Sequence, residues 1–175
     1  MAQAIQKVHG VMIGVVTNVD DPQGEGRIRV RLTSRGGKSE LYWAPIASAM
    51  AGNDYGAFLM PQVGDEAVIG FDRGDVHRPY VLGFLWSAKN RPPSTAVRER
   101  MLRSVNGHTI RLIDATPENG NSGAVVIEDA QGNHVTLSNG KVTVRSVAVI
   151  EIEAPTIILK GPGYRRVVVP NSNPI

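Results

Sequence analysis

The sequence predicts an all-β protein whose two halves are built differently, and three observations carry that prediction. Nineteen Gly and eleven Pro punctuate a chain whose apolar residues are rich in Val and Ile, the composition of short strands separated by turns. Apolar and polar residues alternate with period two in most of the apolar stretches, which puts one face of a strand in a core and the other toward solvent. All but one of the nine aromatic residues fall in residues 1–88, so the first half has the bulk to fill a small closed barrel and the second half does not.

In the first half, strands are expected at residues 11–17, 26–33, 41–46, 66–72 and 80–85. Within the second of these Arg27, Arg29 and Arg31 alternate with Ile28, Val30 and Leu32, giving one cationic face and one buried face. Asp20-Asp21-Pro22-Gln23-Gly24-Glu25-Gly26 supplies the turn that joins the first two strands. Residues 47–60, with Gly52, Asn53, Asp54 and Gly56, read as a loop or broken turn. Five short strands with one long connection fit a small barrel, and the pattern alone leaves an oligonucleotide/oligosaccharide-binding (OB) barrel and an SH3-like barrel both open.

Residues 89–103 break the alternation with Pro92-Pro93 and scattered charges, and read as a linker or neck. Beyond it, alternating stretches are expected at residues 108–114, 125–129, 134–137 and 141–154. In the last, Val142, Val144, Ser146, Ala148, Ile150, Ile152 and Ala154 share a face. Inward residues this small make a narrow core that one chain cannot close, and the strand edges would lack partners. Identical chains wound around one axis satisfy both needs, so the pattern predicts an intertwined β-helix, most simply a trimer.

The formal charge is +3, and the longest basic run is the pair Arg165-Arg166, which is too little clustering for an electrostatic nucleic-acid footprint. There is no cysteine, hence no disulfide and no thiolate metal ligand. No apolar run approaches the ~18–20 residues a spanning helix needs, and Gly and His interrupt the one candidate signal core, residues 8–16, so a soluble, non-exported chain is expected.

Four segments carry a more specific likeness: Gly26-Arg27-Ile28-Arg29-Val30-Arg31-Leu32, Tyr42-Trp43-Ala44-Pro45-Ile46, Met60-Pro61-Gln62-Val63-Gly64-Asp65-Glu66, and the hairpin from Gly74-Asp75-Val76-His77-Arg78-Pro79 to Gly83. They closely resemble the central spike proteins of contractile phage tails and type VI secretion systems (baseplate assembly protein V and VgrG-like spikes), in which that hairpin usually reads Gly-Asp-Pro-Asp-Arg-Pro. The resemblance covers essentially the whole chain. It implies an OB-fold domain over residues 1–88, the neck at 89–103, a triple-stranded β-helix shaft over 104–163 and an apex segment over 164–175. It also implies a structural, membrane-piercing homotrimer beneath a separate hub protein, in a virion baseplate or injection-system particle assembled in the bacterial cytoplasm. Trp43, Trp86 and the Arg27, Arg29, Arg31 face, together with Tyr42 and Pro61, would form the hub-docking collar. Tyr164, Arg165, Arg166, Pro170, Pro174 and Ile175 would form the apex, open to a small conical tip-cap protein (PAAR-like) and to transient contact with the target envelope.

Two departures bear on that reading. Val76 and His77 stand where Pro-Asp is usual, which changes the chemistry of the turn. Many such spikes end in a His-x-His pair that surrounds an apical iron in the trimer; here no histidine follows His134, so no apical iron is expected.

Competing chemistries find less support. A single-stranded nucleic-acid-binding OB domain is the alternative, but such sites need aromatic platforms beside the cationic strand, and residues 27–31 contain none. Arg73-Gly74-Asp75 spells an integrin-recognition tripeptide, though Gly and Asp are ordinary turn residues. Asp20, Asp21 and Glu25, and Asp65 with Glu66, cluster without a matching His or nucleophile and read as solvated turns, so no enzyme activity is expected. His9, His77, His108 and His134 are too scattered for a metal constellation, and no phosphate loop is present, so neither metal nor cofactor is expected.

Overall fold

The computed structural model describes residues 7–33, 40–116 and 120–168. They belong to two compact units, Met1–Pro92 and Pro93–Ile175. Both are built from strands, and among the described residues the one helical element is a 3-10 turn at Asp72–Gly74.

The first unit is a barrel-like sheet. Its strands are β1 (Met12–Asn18), β2 (Arg27–Leu32), β3 (Ala44–Pro45), the small hairpin β4 (Ala51–Gly52) and β5 (Tyr55–Gly56), β6 (Glu66–Phe71) and β7 (Pro79–Leu85). The sheet order is β3-β2-β1-β6-β7, and a parallel bridge between Ile46 and Val81 brings β3 to β7, so that the sheet all but closes on itself. A parallel closing pair between a third and a last strand is the OB arrangement. The inward positions Val16, Ile28, Val30, Leu32, Leu41, Ala44, Ala67, Ile69 and Val81 form the core. Gly14 is required where β1 crosses β2, because a Cβ there would press into Val30 and lie 2.9 Å from the Arg31 carbonyl oxygen. The expected third strand at 41–46 is shorter than predicted, since the chain touches β2 through Leu41 N–H to the Val30 carbonyl (2.8 Å) and pairs as a strand only at Ala44–Pro45.

The second unit is a five-stranded antiparallel meander, β8 (Glu99–Arg103), β9 (Thr109–Ile113), β10 (Ala124–Glu128), β11 (His134–Ser138) and β12 (Lys141–Arg145), followed by a hairpin, β13 (Ile157–Gly161) and β14 (Tyr164–Val168). Residues 99–103, which showed no alternation that marked them as a strand, pair along their length with β9. The partner strand supplies the register that the Glu-Arg-Met-Leu-Arg sequence does not advertise. The expected strand at 141–154 ends at Arg145, and residues 147–156 are exposed. The expected apex boundary at 163/164 falls at the tip of the last hairpin, where Pro162-Gly163 makes the turn, Gly163 at φ +79°, and Gly161 faces Tyr164. The β11–β12 turn is Asn139-Gly140, both residues at positive φ (50° and 72°), the preferred two-residue hairpin connection.

Candidate assembly surfaces

In the first unit the charged face of β2 is organised from within. Arg27 donates through Nε and Nη2 to the two oxygens of Asp21 (2.9 and 2.8 Å) and through Nη2 to Gln23 Oε1 (2.7 Å), and its Nη1 lies 3.1 Å from Glu25. Asp21 also accepts from the backbone N–H groups of Gln23, Glu25 and Arg27. Its side chain is 4% exposed, so the acid read from sequence as a solvated turn residue is instead the organiser of the β1–β2 turn. The Arg27 guanidinium holds the Asp21 carboxyl far below the ordinary carboxylate range, against the opposing effect of desolvation and with help from those backbone donors.

Arg29 pairs with Glu40 (3.2 Å) and lies over the Trp43 ring, 5.2 Å from its centroid. Glu40 in turn accepts from Thr17 Oγ1 at 2.6 Å. The fold therefore brings Arg29 and Trp43 together, although they are far apart in the pattern of strands. Arg31 is exposed on the same face. Trp86 follows β7 and is 72% exposed. Tyr42 meets His77 edge-on at 5.3 Å between centroids, and His77 N–H donates to Asp75 Oδ1, so the substituted hairpin keeps an ordered turn. Arg73 and Gly74 lie in the 3-10 turn, at φ 51° and φ 81°, and Asp75 caps it by donating its N–H to the Asp72 carbonyl.

The sequence reading missed an apolar outer face. Tyr80 and Leu82 are exposed on the outer side of β7, while Pro79 and Val81 point inward; a bulge after Val81 shifts the register so that Phe84 stands opposite Ala67, and Phe84 and Trp86 are exposed beyond it. The signal was present, because a run apolar at consecutive positions marks a strand with apolar residues on both faces. Near it the 47–60 arm presents Met50, Tyr55, Phe58 and Leu59, also exposed, around a cleft of about 820 Å³ that includes Gly83 and Phe84. Ser48 Oγ ties the arm by donating to the Ala57 carbonyl (2.6 Å), with the Met50 carbonyl as the alternative acceptor at 3.1 Å. Among the described residues these apolar side chains make this side of the first unit a candidate contact surface.

The second unit sorts its side chains by face with little exception. The register of β8–β12 aligns Leu102, Ile110, Ile127, Val135 and Val144 in one row across the strands, and Arg100, Leu112, Val125, Leu137 and Val142 in another two positions along. Both rows lie on one face, and apart from Val135, which is half-buried, their aliphatic members are exposed. On the opposite face Arg111 bridges Glu128 (2.7 Å) and Glu99 (3.6 Å), with Thr109 and Val126 buried beside it. Those two are the only residues of this unit counted as buried among the described residues. Asp129 closes the β10–β11 turn by accepting from Asn133 Nδ2 (2.6 Å) and from the Gln131 and Asn133 backbone N–H groups, which lowers its carboxyl pKa. His108 Nδ1 accepts from the Ala130 N–H and His134 contacts the Gly132 carbonyl, so both serve turns. Among the described residues no group of three or more acidic or histidine side chains is placed to hold a metal ion, and no helix is long and apolar enough to cross a membrane.

Of the apex residues, Tyr164, Arg165 and Arg166 lie in β14, where Arg165 faces Lys160 and Arg166 faces Leu159 across the hairpin. Pro170, Pro174 and Ile175 lie outside the described residues.

Residues 12–86, the barrel just described, match the family of the type VI secretion system/phage-baseplate injector OB domain. The barrel is an injector OB domain. The relatives agree with this. The chain is 30% identical over 137 residues, 72% of its length, to the type VI secretion system spike protein VgrG5 of Pseudomonas aeruginosa. It is 34% identical over 99 residues, 50% of its length, to the spike protein VgrG3 of Vibrio cholerae. A third relative, 30% identical over 100 residues, is the Vibrio cholerae actin cross-linking toxin VgrG1. The matched region makes up 16%, 9% and 9% of those three proteins, so the chain spans a small part of the curated relatives it matches. The chain is thus similar to an injector OB domain and to parts of type VI secretion system spike proteins.

Proposed function

We infer that this chain is the non-enzymatic subunit of a homotrimeric central spike, which sits beneath a separate hub protein and is driven through a target envelope by a contractile phage tail or related injection machine. The observation that carries this reading is the apolar face of β8–β12. A single chain leaves both rows in water, and such a sheet is stable only when its face is covered and its edges are paired. Residues 147–156 point the same way: among the described residues they form no strand, yet Ala148, Ile150, Ile152 and Ala154 continue the alternation begun by Val142 and Val144. Three copies that place these faces around a common axis form the shaft expected over residues 104–163, with the meanders packed face to face and the intertwined β-helix confined to the 146–156 segments pairing between chains.

In this reading residues 1–88 are the collar and 89–103 the neck, whose last five residues, β8, join the sheet of the shaft. The collar docks the hub through Arg29, Arg31, Trp43 and Trp86, while Arg27 acts from behind by holding the turn. Residues 164–175, with Tyr164, Arg165, Arg166, Pro170, Pro174 and Ile175, form the apex and receive a conical tip cap. The particle is assembled in the bacterial cytoplasm and becomes part of a virion baseplate or injection apparatus. The nucleic-acid alternative is disfavoured by the ion pairs that already occupy Arg27 and Arg29.

Light scattering on the purified full chain, repeated in mild detergent without heating, tests the reading. A detergent-resistant trimer is expected. A monomer would overturn the shaft, and single-strand DNA binding that falls steeply with salt would replace the spike with the alternative.

A further inference from the structure

One row position on the otherwise aliphatic face of β8–β12 is charged. Arg100 stands in the row of Leu112, Val125, Leu137 and Val142, on the first strand of the meander. Asp114 follows β9 two residues after Leu112 and therefore shares its face, held beside β8 by its N–H donating to the Arg98 carbonyl at 2.9 Å. Arg100 Nη1 pairs with the Asp114 carboxylate, and in the single chain the two side chains are 64% and 57% exposed. A pair so exposed contributes little to one chain's stability. Among the described residues Asp114 Oδ2 is the single acceptor that Arg100 reaches, while a guanidinium carries five N–H donors and a carboxylate about four acceptor sites. Both groups retain capacity for a neighbour.

Resting on the trimeric reading above, we propose that Arg100 and Asp114 form a charged layer at the β8 end of the shaft core, with Arg100 of each copy also bonded to Asp114 of the next, and that this layer fixes the register of the three chains. The occupant is a second copy because the charged pair interrupts the aliphatic face that the trimeric reading packs around the axis, and rotation about that axis can carry the Asp114 of one copy toward the unused donors of Arg100 on the next. The aliphatic rows cannot set register alone, since apolar contact is non-directional and Val, Ile and Leu recur at every strand. A slip by one strand would leave each Arg100 only the Asp114 of its own chain and press its remaining N–H donors onto aliphatic side chains. A polar position in an apolar seam has this effect in coiled coils, at some cost in stability.

The test uses the full chain with Arg100→Met, Asp114→Asn and the double variant Arg100→Met/Asp114→Leu. Dissociation in denaturant is followed by light scattering. The chain has no native cysteine, so a nitroxide on Lys141→Cys reports distances between copies by pulsed EPR. Each single variant should dissociate about a hundredfold faster than the parent, because a buried charge loses its partner. The double variant should recover to within about tenfold of the parent rate while its single narrow distance becomes several. A trimer in which the single variants dissociate at the parent rate, or in which the double variant keeps one narrow distance, overturns the charged layer and leaves the spike reading intact. A monomeric parent overturns both.

Discussion

At the scale of single residues, the first unit depends on Asp21 more than its place in a surface turn suggests. One carboxylate receives the Arg27 guanidinium and three backbone N–H groups, and so joins the end of β1 to the start of β2. Its folded pKa is depressed below the unfolded value of about 3.9. Its stabilising contribution is therefore complete above that value and is lost as pH falls toward the folded pKa. Asp129 acts in the same sense in the second unit, through Asn133 and its turn. Thermal unfolding followed by circular dichroism should show the melting temperature falling steadily below about pH 4. Asp21→Asn should melt several degrees lower at neutral pH and show a shallower acid limb. An unchanged acid limb would remove Asp21 from the account.

Among the elements, the meander poses a sharper question, because its two faces make opposite predictions. Ile127 lies on the apolar face and Thr136 on the other, one strand apart. Ile127→Glu places a carboxylate where neighbouring copies are expected to pack, and should weaken the assembly by about 3 kcal/mol or more per subunit. Thr136→Glu should leave the native mass unchanged. Sedimentation velocity distinguishes them, and equal behaviour of the two variants would mean that the apolar face is not the contact. The Asn139-Gly140 turn makes a smaller prediction. Replacing both residues with Ala forces positive φ on side chains that resist it, costing about 1–2 kcal/mol in a denaturant titration.

Over the whole molecule, the two units differ in how far one chain completes them. Among the described residues the first owns a core of nine buried apolar residues and the second has Val126 alone. Residues 1–92 expressed alone should therefore fold cooperatively, with a melting temperature within a few degrees of the barrel transition in the full chain. Residues 93–175 alone should either assemble to the same stoichiometry as the full chain or fail to fold as a monomer. A well-folded monomer of 93–175, seen by dispersed amide signals and a monomeric mass, would contradict the assembly argument.

The sequence by itself determined four strands of the barrel and most of those in the meander, since Arg27 to Leu32 alternate so strictly that only one face can be buried, but it left the third barrel strand too long and read the β4–β5 hairpin as a loop or broken turn. Its motifs also sufficed to place the first half in the injector OB family. It did not determine β8, whose Glu-Arg-Met-Leu-Arg pattern becomes a strand only because β9 offers an edge, nor the inward role of Asp21, whose neighbours in the turn are as polar as it is. The meeting of Arg29 with Trp43, and of Arg100 with Asp114 on an aliphatic face, likewise belongs to the tertiary structure. Periodicity records which face a residue occupies along one strand. Which residues stand opposite across strands is set by register and closure, and those arise only when the strands pair.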